Sequence, residues 1–147
     1  MRVLTLGKTT NAFPVWTPDN ESILFGSNRN GQWGVWRKQA NAISDAELLF
    51  GSSDQMLAPV SITKDGQFIS GGTLHHDTLW DAWVHDVSEH NSTNDPALTT
   101  IGNENWPVLS PDGDWLAYSH DGQLTVVLRG NRSGIGHHGC HRVDPAG

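Results

Sequence analysis

Short apolar–polar alternations run through the chain, broken every few residues by Pro, Asp, Asn or Gly. In Ile23-Leu24-Phe25 and Leu116-Ala117-Tyr118 alternate residues are large and apolar, which predicts strands packed on one face. Further strands are predicted at Trp33-Gly34-Val35-Trp36, at Trp80-Asp81-Ala82-Trp83-Val84 and over 123–128. Asn30-Gly31 and Asp121-Gly122, just ahead of two of these, are strong hairpin signals because both residues tolerate positive φ. No segment carries a sustained helical period; the stretch from Gln39 to Leu49 reads as a loop followed by a strand.

The pattern repeats. Phe13-Pro14-Val15-Trp16-Thr17-Pro18-Asp19-Asn20 returns as Ala58-Pro59-Val60-Ser61-Ile62-Thr63-Lys64-Asp65-Gly66 and as Trp106-Pro107-Val108-Leu109-Ser110-Pro111-Asp112-Gly113. The prolines Pro14, Pro59 and Pro107 are 45 and 48 residues apart, about the length of one blade of a radial β repeat. Each copy reads as a short strand entering a tight turn, with Pro presetting φ and Asp-Gly or Asp-Asn accepting local hydrogen bonds.

A Leu/Thr-rich piece ending in glycine also recurs, as Arg2-Val3-Leu4-Thr5-Leu6-Gly7, Ala46-Glu47-Leu48-Leu49-Phe50-Gly51 and Ala97-Leu98-Thr99-Thr100-Ile101-Gly102. The first copy precedes the first full repeat, and none follows the last third strand. The N-terminal segment therefore reads as the displaced fourth strand of the last unit.

Thr/Ser-Pro-Asp-Gly, an aliphatic/aromatic strand, and Ser27-Asn28-Arg29-Asn30-Gly31 before a Trp-rich strand together resemble the TolB-like, WD40-like β-propeller repeat family over roughly residues 2 to 130. Ser110-Pro111-Asp112-Gly113 is the nearest match. Thr63-Lys64-Asp65-Gly66 lacks the proline, and Gly71 stands where an aromatic is expected. The resemblance implies an all-β fold of three four-stranded antiparallel blades: 13–51 as blade 1, 58–102 as blade 2 and 106–130 as blade 3 minus its fourth strand. Segment 1–7 is the displaced strand and 131–147 a disordered tail. Rings of this architecture hold four to eight blades, so the expectation is a homodimer closing a six-bladed ring, each N-terminal strand completing the other copy's last blade.

Composition narrows the partners. The chain has 147 residues, enough for one core, and a formal charge of −7 with no Lys/Arg run, which argues against nucleic acid. No apolar run approaches membrane-spanning length, so no membrane insertion is expected. The single Cys140 gives no disulfide framework. Met1 to Leu6 lacks the apolar core and cleavage site of a secretory leader, so the expected location is cytoplasmic. Three glycosylation sequons, at Asn20, Asn91 and Asn131, are discounted on the same ground.

A meandering blade places the loops between strands two and three, and those linking blades, at one end of the ring. These loops gather the candidate ligand-binding residues Asn11, Asn30, His75, His76, Asp77, Asn103, Glu104 and Asn105, with the turn at His120 to Gly122 beside them. His75-His76-Asp77 with Glu104 has metal-ligand chemistry, yet adjacent residues in an extended loop point opposite ways. It reads as a solvated loop. His137-His138-Gly139-Cys140-His141 lacks zinc-motif spacing and reads as part of the tail. The seven tryptophans sit largely at recurring positions, so interblade packing accounts for them, with one or two left exposed.

No nucleophile motif, phosphate-binding glycine loop or cofactor signature occurs. The leading functional expectation is a non-enzymatic scaffold offering its polar loop end to a protein, peptide or small polar ligand. One alternative is a metal-assisted hydrolase, lactonase or lyase at the same end, and another is a sensory propeller belonging to a larger protein.

Overall fold

The computed structural model describes residues 3–5, 7–41, 43–52, 55–75, 79–88, 103–129 and 141–142. They form three antiparallel sheets and no α-helix, with a single 3-10 turn at Arg29–Gly31. Sheet 1 holds β1 (Asn11–Trp16), β2 (Ser22–Ser27), β3 (Trp33–Gln39) and β4 (Glu47–Ser52) in chain order. Sheet 2 holds β5 (Leu57–Ile62), β6 (Phe68–His75) and β7 (Leu79–Asp86). Sheet 3 holds β8 (Glu104–Leu109), β9 (Trp115–His120), β10 (Gln123–Leu128) and the two-residue β11 (His141–Arg142). Among the described residues no helix is long and apolar enough to cross a membrane.

The turn that opens each sheet is built alike. The Thr17, Thr63 or Ser110 hydroxyl donates to Asp19, Asp65 or Asp112 at 2.5 Å in every copy. That hydroxyl also accepts from the backbone N–H of Ser22, Phe68 or Trp115 at 3.0 Å. The same Asp accepts the N–H two residues on, at 2.9 to 3.1 Å. Asn20, Gly66 and Gly113 take the positive φ at the tip. The motif is therefore a self-contained hydrogen-bonded unit, and recurs because nothing outside it is needed. At the other ends, Asn30-Gly31 and Asp121-Gly122 each carry two consecutive positive φ values, the first within the longer β2–β3 loop and the second as a two-residue hairpin turn.

Packing between sheets makes two cores. Leu24, Val35 and Phe50 of sheet 1 meet Leu57, Ile69 and Trp83 of sheet 2. Phe68, Ala82 and Val84, on the opposite face of sheet 2, meet Leu109, Leu116, Tyr118 and Val127 of sheet 3. Sheets 1 and 2 thus each bury one face against the sheet that follows, and β1, β5 and β8 lie side by side as the inner strands. Each inner strand carries a bulge around its proline, where the ladder is already interrupted by the missing N–H.

Two departures of the second repeat have structural reasons. Lys64, where the other copies have proline, uses its backbone N–H to donate to the Pro111 carbonyl across the sheet 2–sheet 3 boundary at 2.9 Å. Gly71, standing where the other repeats carry Phe25 and Tyr118, leaves room for the Trp83 ring of the neighbouring strand.

Several expectations are corrected or fall elsewhere. Of the tryptophans, Trp36 and Trp83 are buried, whereas Trp16, Trp106 and Trp115 are exposed, more than the repeat pattern suggests. Residues 3–5 form no strand. Within the segment expected to be tail, β11 pairs with the Val127–Leu128 end of β10. An unpaired strand edge recruits whatever extended backbone lies within reach. The expected fourth strand at 97–102 lies outside the described residues.

His85 is buried and stacks on Phe50 with ring centroids 3.7 Å apart. Burial holds its imidazole below the usual histidine range, opposed by the neighbouring Asp86 carboxylate. The unfolded chain therefore binds the proton more readily than the folded one. His85 stabilises the fold fully above about pH 6.5, and that stability falls as pH drops toward the depressed folded value. In urea melts between pH 7.5 and 5, His85→Phe is expected to flatten part of the acid-side loss.

Candidate functional site at the axial end

The strand register aligns three pairs at one end of the inner strands. Asn11 stands opposite Ser27, Leu57 opposite Thr73, and Glu104 opposite His120. They occupy the same place in each repeat with entirely different chemistry.

In sheet 1 the pair is polar. The Asn11 Oδ1 accepts from the Ser27 hydroxyl at 3.0 Å and from Arg29 Nη2 at 2.8 Å, while its amide nitrogen donates to the Thr9 carbonyl at 3.1 Å. The Arg29 guanidinium lies 5.0 Å from the Phe25 ring centroid and 4.9 Å from that of Trp36. Burial against these rings lowers its pKa from the usual arginine value, with Asp45 opposing. Asn30 is exposed at the tip of this turn, with φ of 60°.

In sheet 3 the pair is charged. Glu104 is fully buried, and its Oε1 lies 3.0 Å from Nδ1 of His120. The His120 side chain is 36% exposed, and its Nε2 lies 3.7 Å from Asp121 Oδ2. The imidazole is held from behind by a buried carboxylate and presents its second nitrogen at the surface.

The other expected residues are spread around this frame. Asn103 accepts from the Trp80 N–H at 3.3 Å and so ties the approach to sheet 3 onto β7. Asn105 pairs through its backbone with Ser119. His75 ends β6, opposite Leu79. His76 and Asp77 lie outside the described residues. Among the described residues no group of three His, Cys, Asp or Glu is placed to hold a metal. Among the described residues of the expected set, Asn11 meets the Arg29 guanidinium and Glu104 meets the His120 imidazole. The signal that would have found the second contact is register: counting back one residue from the Asp121-Gly122 turn and three from Pro107 sets the two opposite each other.

At the opposite end, a cleft of about 350 Å3 opens between sheets 1 and 2. Asp19, Arg37, Lys64 and Asp65 rim it above Leu24 and Ile69. Arg37 is engaged with Glu47 at 3.0 Å. Sequence reasoning placed no candidate here.

Stacked antiparallel sheets of three or four strands with adjacent inner strands are consistent with blades of a β-propeller. Solved structures agree. TolB from Acinetobacter baumannii matches with a TM-score of 0.64 at 17% identity, over 90% of this chain and 32% of that one. An oligogalacturonate lyase from Vibrio parahaemolyticus matches at 0.57 and 12% identity, over 80% of this chain and 35% of that one. The Swd1 β-propeller domain of Myceliophteria thermophila matches at 0.53 and 15% identity, over 92% and 43%. The chain has a TolB-like β-propeller fold, and it spans about a third of the TolB structure's length. No protein-family model matches the sequence, and no curated protein does.

Proposed function

We propose that the chain is a non-enzymatic binding scaffold whose axial end receives a protein, peptide or small polar ligand. The observation that supports this reading is the fully buried Glu104 carboxylate behind the half-exposed His120 imidazole. A buried carboxylate is costly unless compensated, and here its compensation fixes a donor–acceptor group at the surface. Asp121 beside it, with a chain charge of −7, favours a cationic ligand.

A second reading rests on the same pair. A carboxylate-oriented imidazole is also an acid–base group, and an oligogalacturonate lyase and a prolyl endopeptidase share the fold. In the binding reading the pair orients a ligand, and in the catalytic one it moves a proton.

Calorimetry with a lysine-containing decapeptide distinguishes them. The expected result is salt-sensitive binding that His120→Ala weakens by roughly tenfold, as loss of a charge-assisted hydrogen bond does, with the peptide recovered intact. Equal affinity of wild type and His120→Ala would remove the basis for the reading. Peptide cleaved by the wild type but not by Glu104→Gln would favour the catalytic one.

A further inference from the structure

Among the described residues, the face of sheet 3 turned away from sheet 2 is apolar and uncovered. Leu124 is 90% exposed, Trp106 67%, Val126 49% and Trp115 40%. These are not random surface positions. Leu124 stands opposite Ser119 just as Val35 stands opposite Gly26 and Ala82 opposite Gly72. Gly26, Gly72 and Ser119 each lie seven residues after the turn aspartate. Val35 and Ala82 are fully buried by the sheet that follows them. By the same register Trp115 matches Phe68, and Val126 matches Val84, both buried at the sheet 2–sheet 3 boundary. Sheet 3 keeps the residues of an interblade face without the blade.

Sheet 1 shows the complementary face. Trp16 pairs with Ile23 where Ile62 pairs with Ile69 and Leu109 with Leu116. Ile69 and Leu116 are fully buried against the preceding sheet. No described sheet precedes sheet 1, and Trp16 is 54% and Leu48 50% exposed on that side.

We propose that the open face of sheet 3 is covered by the Trp16–Ile23 face of sheet 1 in a second copy of this chain, and reciprocally, so that two copies close one six-bladed ring. The contact repeats the two interblade contacts already made within the chain, and is continuous with them. It is head-to-tail and closes under two-fold symmetry, leaving no face over. It also completes the axial end. The Glu104–His120 pair of one copy comes to neighbour the Asn11–Ser27–Arg29 cluster of the other, placing an acidic group beside a basic one. The contact uses sheet faces, so it does not depend on which segment lies at the edge of β10.

Sedimentation equilibrium of the full chain tests this. The expected mass is twice 16.1 kDa. Leu124→Glu and Trp16→Glu each place a charge in the contact without touching either core. Each is expected to raise the dimer dissociation constant at least about 100-fold, as central interface residues do, with unchanged near-ultraviolet circular dichroism. Ile43→Glu, at a 96% exposed loop position outside the contact, is expected to leave the dimer intact. A folded wild-type monomer at about 100 μM, a protein concentration at which a specific interface of this kind is populated, overturns the proposal. A dimer lost with Leu124→Glu but kept with Trp16→Glu overturns it too, since that is the signature of two sheet 3 faces meeting each other.

Discussion

Replacing Gly71 by tyrosine is expected to destabilise the protein by about 3 kcal/mol or more in urea denaturation, the upper end of overpacking costs. A Cβ at this position would fall on the Trp83 ring and on the Ala58 carbonyl oxygen. Neither can retreat. Trp83 is 2% exposed and packed edge-on to Phe50 at 5.5 Å, and Ala58 belongs to the inner strand β5. Tyrosine is nevertheless the residue that the third repeat carries at the matching place, Tyr118, opposite Thr125. In sheet 2 the matching pair is Gly71 opposite Trp83. The bulk has moved from one strand to its neighbour.

That exchange makes the prediction sharper than a simple clash. Trp83→Thr alone should cost about 3–5 kcal/mol through the cavity it leaves. Combined with Gly71→Tyr it should cost clearly less than the sum, because the double variant reproduces the sheet 3 pair. A double-mutant cycle with no coupling would mean that the two residues do not share one space.

The second large effect concerns the clasp between sheets 2 and 3. Ser61 and Ser70 hydroxyls are 2.7 Å apart; Ser70 donates to the Pro107 carbonyl at 2.6 Å, and Ser61 accepts the Leu109 N–H at 2.8 Å. The Pro107 carbonyl lies in the bulge of β8, where the ladder to β9 is interrupted, and the Leu109 N–H lies just beyond it. Removing the hydroxyls strands a buried carbonyl and a buried N–H. Ser61→Ala with Ser70→Ala together should cost about 2–4 kcal/mol. The single variants should not add, since each hydroxyl orients the other. Amide exchange at Leu109 should accelerate in the double variant and stay unchanged at Val35, which belongs to the other core.

Much of this architecture was legible because it is local. The Thr/Ser-x-Asp turns satisfy their own hydrogen bonds within six residues, and Asn30-Gly31 and Asp121-Gly122 need only backbone freedom. The strands between them follow from alternation. What stayed hidden depends on register and on neighbouring blades. Lys64 and Gly71 read as lapses of the repeat, but one supplies an interblade N–H and the other accommodates a ring twelve residues away. Glu104 was a candidate for its chemistry, yet its partner His120 lies sixteen residues on and is visible only once β8 and β9 are paired. The exposed tryptophans were hidden for a related reason: Trp115 occupies a position buried in the other two repeats but has no described sheet after it, and Trp16 has none before it.

The proposed ring depends on one contact, between the Leu124 face of sheet 3 and the Trp16 face of sheet 1 in another copy. Its most direct test is an isotope-filtered nuclear Overhauser experiment on an equimolar mixture of methyl-13C-labelled and unlabelled protein. Intermolecular signals from the Leu124 and Val126 methyls to the Trp16 ring protons are the predicted result. Methyl signals to the Trp115 or Trp106 rings of the unlabelled copy, or no intermolecular signal at all, would contradict it.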